Sequence, residues 1–193
     1  MLNQISQRYS KQGLWSLFLM CAFPLHAWTL ILAFRDLSWL TDRTNAWDAV
    51  GVTAYGLLFA FTETVVIFLI AALMGFLVTR YWDSNRRISL LSVLILILSL
   101  WAMVSQLYFL AGVSVPDALI NFFAHISHPV RILYGIALIV VVPTVLVPTL
   151  LILRSDKALQ FTKGLIERLS LLTMFYLLFD VAGLVIVIIR NLS

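Results

Sequence analysis

The chain has 193 residues, 62% of them hydrophobic and only 11% charged, with a formal net charge of +4. A soluble domain is nearer half apolar and a quarter charged, so the composition excludes a soluble globular protein and points to an integral membrane protein. The basic balance does not point to nucleic acid: Lys and Arg lie between apolar segments, where they set topology and meet anionic lipid.

The first apolar run covers residues 14–34 and follows a basic start, "MLNQISQRYSKQG". It is about as long as the hydrocarbon core requires, longer than a secretory signal core, and lacks a small-x-small cleavage pattern, so it is read as a retained first span. It contains His26 and the chain's one cysteine, Cys21, which can form no intramolecular disulfide and no Cys-based metal site.

The connection over residues 35–51 is predicted to be an outer loop carrying Asp36, Asp42 and Asp48 with Arg35 and Arg43. Arginines that hold phosphate beside an aspartate base or metal ligand would suit an enzyme acting on lipid-linked substrates. The spacing matches no catalytic motif: there is no glycine-rich phosphate loop, G-x-S-x-G, H-E-x-x-H or D-x-D. The first reading of this loop is a solvated connector.

The second span, residues 52–79, has Glu63 between Thr62 and Thr64. The inner loop "RYWDSNRR" follows, with Arg80, Arg86 and Arg87 expected on anionic head groups. The third span, residues 88–111, places Ser92, Ser99 and Gln106 on one face at steps of seven. In "GVSVPDALINFFAHISHPV", Ser114, Pro116 and Asp117 read as a helix start and Pro129 as its stop, which predicts a short interfacial helix. His125 and His128, three apart, are weak metal candidates with no cysteine near them, and no cofactor is predicted.

The fourth span, residues 131–153, carries Pro143 and Pro148 beside Thr144 and Thr149. Arg154, Lys157, Lys163 and Arg168 form a second basic inner cluster for lipid head groups, on a segment expected to begin an amphipathic helix that runs into the fifth span, residues 169–189. That span holds Asp180. Nine of the 13 basic residues fall on one side of this layout: Arg8, Lys11, Arg80, Arg86, Arg87, Arg154, Lys157, Lys163 and Arg168. The expected orientation therefore has the N-terminus in the cytoplasm and the C-terminus outside, in a plasma (inner) membrane. Trp15, Tyr81 and Trp82 at one boundary and Trp39, Trp47, Tyr108 and Tyr134 near the other agree with it.

The predicted fold is an all-α membrane bundle over residues 1–193 with five spans and no soluble domain. His26, Glu63 and Asp180 come from three spans at one depth, where a charged side chain costs about 2.5–3.5 kcal/mol. They are expected to face inward and meet at one polar site, flanked by Thr62 and Thr64 and by the backbone carbonyl that Pro143 frees beside Thr144. Such a site is either a set of hydrogen-bonding pegs between helices or a place for protons or ions. The leading expectation is a non-catalytic packing component that associates with itself or with other membrane subunits. The alternative is a small channel, carrier or proton-handling protein using the mid-membrane cluster. The second alternative is a membrane enzyme using the outer acidic loop.

Overall fold

The computed structural model describes residues 9–77, 82–112 and 114–192. They form six helices: α1 Lys11–Arg43, α2 Ala46–Leu77, α3 Ser84–Leu110, α4 Asp117–Ala124, α5 Pro129–Arg154 and α6 Asp156–Leu192. No strand occurs among the described residues. All but α4 are long and apolar enough to cross a membrane.

The helices outrun the hydrophobic segments that predict them. With 33 residues, α1 is about 50 Å long at 1.5 Å per residue, well beyond the roughly 30 Å hydrocarbon core. No Gly or Pro lies between Pro24 and Gly51 to stop it. The expected outer loop over residues 35–51 is therefore a correction: it is helix on both sides of a turn at Thr44 and Asn45. Thr44 ends α1 with its N–H and hydroxyl both donating to the Leu40 carbonyl, at 2.9 and 2.7 Å. The Asn45 side chain then accepts the Asp48 N–H at 2.9 Å, as an N-cap does. At the other end, Ser10 caps α1 by accepting the Gly13 N–H at 2.9 Å. One residue, Ser155, separates α5 from α6, and α6 runs unbroken for 37 residues from the basic cluster through the fifth apolar segment. Gly112 turns the chain after α3 with φ of 60°, a left-handed conformation that glycine adopts without strain. The start of α4 is a second correction: Pro116 takes the N-cap position, and no side chain makes a capping bond there, so Ser114 is not the cap.

At the centre of the bundle is α1, which packs against α2, α3 and α6. Its most apolar stretch is 39% buried, against 6% for that of α5, which leans chiefly on α3 and α6. At the basic end, Tyr9, Leu17, Cys21, Ala71, Ile88 and Leu91 form a core cluster. The Tyr9 hydroxyl donates to the Ala72 carbonyl at 2.9 Å, and Gly75 leaves the space that Tyr9 and Leu91 fill. Towards the opposite end, Gly183 brings α6 onto α2: a Cβ there would lie 3.3 Å from the Ala54 carbonyl oxygen. Where lipid is as apolar as leucine, this close backbone approach is a main source of helix association.

Candidate functional site

The polar centre of the bundle is built by α1 and α6. His26 follows Pro24 on the buried face of α1 and is fully buried. Its Nδ1 lies 2.8 Å from the Ala22 carbonyl oxygen one turn back. A carbonyl can only accept, so Nδ1 carries a proton and donates it there. Nε2 is thereby left to face α6, where it lies 2.9 Å from both carboxyl oxygens of Asp180, itself 7% exposed. One proton lies between imidazole and carboxyl: the contact is either imidazolium with carboxylate or neutral imidazole with carboxylic acid. The Tyr176 ring, one turn before Asp180, stacks on His26 with centroids 6.4 Å apart and on Phe23 at 6.2 Å. Thr173, Asp180 and Gly183 lie on the same buried stripe of α6. Thr173 donates to its own helix, at the Leu169 carbonyl, at 2.7 Å. The pair is thus a fixed, ring-covered polar link between two helices. Asp180 also lines a cleft of about 370 Å3 with Trp15, Phe18, Leu58 and Phe61.

Glu63 does not join this link. The buried stripe of α2 runs through Leu57, Ala60, Thr64, Ala71 and Gly75. Thr64, about 100° round the helix from Glu63, is the residue turned fully inward, with its hydroxyl donating to the Ala60 carbonyl at 2.8 Å. Glu63 is exposed instead, in a lateral groove of about 380 Å3 bounded by α1, α2 and α3, together with Trp28, Ser99 and Gln106. Its carboxyl has no hydrogen-bond or ion-pair partner among the described residues. Trp28 also lines this groove, and its indole Nε1 is buried with no acceptor. Thr62 is exposed and donates to the Leu58 carbonyl at 2.9 Å.

Pro143 and Thr144 are also apart from His26 and Asp180, because they sit exposed on peripheral α5. The Thr144 hydroxyl accepts the Trp101 indole N–H at 3.0 Å and donates to the Val141 carbonyl at 2.7 Å, which ties this stretch to α3. Of the residues expected at one centre, then, His26 and Asp180 are in contact, Thr64 is buried on its own helix, and Glu63, Thr62, Pro143 and Thr144 face elsewhere.

The arginines expected on lipid are partly turned to the protein. Arg86 donates to the Leu153 carbonyl at 3.1 Å and pairs with Asp156, pinning the start of α3 to the α5–α6 turn. Arg87 is 3% exposed, donates to the Trp82 carbonyl and lies 5.7 Å from the Tyr9 ring centroid. Arg154, Lys157 and Arg168 are exposed and Lys163 is half-buried. Arg80 lies outside the described residues. The acidic outer site is dispersed over two helices. Asp36 pairs with Arg35 at 2.8 Å, and Asp48 with Arg190 at 2.8 Å. Arg190 also donates to the Trp47 carbonyl and covers the Trp47 ring, a contact for which Gly51 makes room. Asp42 is exposed. The His125 Nδ1 donates to the Asn121 carbonyl at 2.6 Å, His128 precedes α5, and no group of three potential metal ligands occurs among the described residues.

Comparison with protein-family models, curated proteins and solved structures finds no match. Sequence reading missed Trp28 and Tyr176, which shape the two polar places, and the Arg190–Asp48 clasp. An indole inside an apolar span carries no sequence signal beyond its hydropathy. The clasp joins residues that are far apart in the chain.

Proposed function

We propose that this protein is a non-catalytic packing component of a larger membrane assembly and that α5 is its contact helix. One observation carries the reading. Gly13, Gly51, Gly75 and Gly183 on α1, α2 and α6 are each filled by a neighbouring side chain or backbone, whereas a Cβ on Gly135 of α5, like one on Gly164 in the first third of α6, would meet nothing within 4 Å. Among its described residues α5 buries only Ile152. A span held by so few contacts, with its small residue facing out, has packing capacity that its own chain does not use. The polar groups inside the bundle, His26 with Asp180, are meanwhile spent on each other. The bias of basic residues supports a cytoplasmic N-terminus with anionic lipid at the basic end, and the reading takes a plasma (inner) membrane as host.

The test is the particle mass after extraction in mild detergent. The wild-type particle should exceed one chain plus its detergent, and Gly135→Leu should reduce it to a single chain with unchanged helical circular dichroism. A wild-type protein that runs as one chain overturns the reading. A second reading, proton handling, draws on Asp180 reaching from the His26 contact into an open cleft. It requires that proteoliposomes conduct protons and that Asp180→Asn abolishes the flux.

A further inference from the structure

The groove between α1, α2 and α3 is a second polar place, independent of any assembly through α5. We propose that it binds an amphiphilic amine, with the ammonium group on Glu63 and the alkyl chain along the apolar wall of the groove. Charge complementarity argues for the cation. Glu63 sits near the midpoint of α2 with no partner among the described residues, and the chain has no Lys or Arg between Lys11 and Arg35, between Arg43 and Arg80, or between Arg87 and Arg131. None of the three helices that form the groove can therefore supply a Lys or Arg at that depth, and His26 of α1 is paired with Asp180. A second copy of the chain cannot either, because its basic residues lie near the same helix ends. Anionic lipid would meet the carboxylate as a like charge, and a neutral chain would leave it unpaired.

The rest of the lining suits the same ligand. Trp28 offers an aromatic face of the kind that attracts ammonium groups. Ser99 and Gln106 offer oxygen acceptors for its remaining N–H groups. Leu98 and Ile67 are among the groove's apolar side chains, and its volume of about 380 Å3 falls within the range of small-molecule sites. Exposure of Glu63 on the lateral surface lets an amphiphile enter from the bilayer.

Binding of dodecylamine, 2-aminododecan-1-ol, dodecanol and dodecanoate to the full chain in phosphatidylcholine nanodiscs tests the site, with empty nanodiscs subtracted. The amines should bind saturably and at least tenfold more tightly than the alcohol or the acid. Glu63→Gln should lose that factor, and Ala102→Phe, which adds bulk to the groove from α3 and keeps the carboxyl, should lose binding altogether. Equal binding of the four amphiphiles, no saturable binding, or wild-type amine affinity in a folded Glu63→Gln protein overturns the proposal.

Discussion

His26 and Asp180 show how one side chain's local geometry dictates another's role. The Ala22 carbonyl one helical turn back accepts a hydrogen bond from Nδ1–H, so Nε2 is free for α6. Removing the acid while the imidazole stays buried leaves a polar group with nothing to replace its partner, at a cost of roughly 3–5 kcal/mol if the pair is ionic. Asp180→Ala should therefore destabilise the bundle by about that amount in reversible detergent unfolding. Asp180→Asn, which keeps a hydrogen bond to Nε2, should cost clearly less. Equal stability of all three proteins would mean that the contact does not hold α1 to α6. At Glu63 the expectation is opposite in kind: Glu63→Gln should leave stability within about 0.5 kcal/mol, as for a side chain with no intramolecular partner.

Between helices, small residues decide how closely axes approach. A Cβ on Gly183 would lie 3.3 Å from the Ala54 carbonyl oxygen and 3.6 Å from its Cα, so a branched side chain there crowds the α2 backbone. Gly183→Val should cost about 1–3 kcal/mol by overpacking, measured in the same unfolding assay, whereas Gly135→Val on α5 should cost the isolated chain little. If both cost the same, the asymmetry between the central helices and α5 has no energetic consequence. The ends of these elements were the least legible part. Hydropathy marks where a span lies in lipid, but a helix continues into water until a residue stops it, as α1 does up to the Thr44–Asn45 turn. The acidic outer loop expected from residues 35–51 failed for that reason.

Across the whole molecule, the two ends are clasped differently: Arg86 with Asp156 and the Leu153 carbonyl at one, Arg190 with Asp48 and the Trp47 carbonyl at the other. The buried Cys21 lets new cysteines report alone. With the proposed orientation, Asp42→Cys should react with an impermeant maleimide on intact cells and Lys157→Cys should react only after permeabilisation. The reverse pattern would invert the topology.

Composition and run length by themselves determined a five-span helical membrane protein, because only about 20 consecutive apolar residues satisfy both the bilayer thickness and the backbone hydrogen bonds inside it. They also singled out His26, Glu63 and Asp180, since ionisable residues are rare at that depth. Which of them meet was left to the tertiary structure. On helices that are apolar all round, no hydropathy stripe distinguishes an inward position from its neighbour about 100° away. The packing of α1 against α2, α3 and α6 turned Thr64 inward and Glu63 out, and set Asp180 against His26.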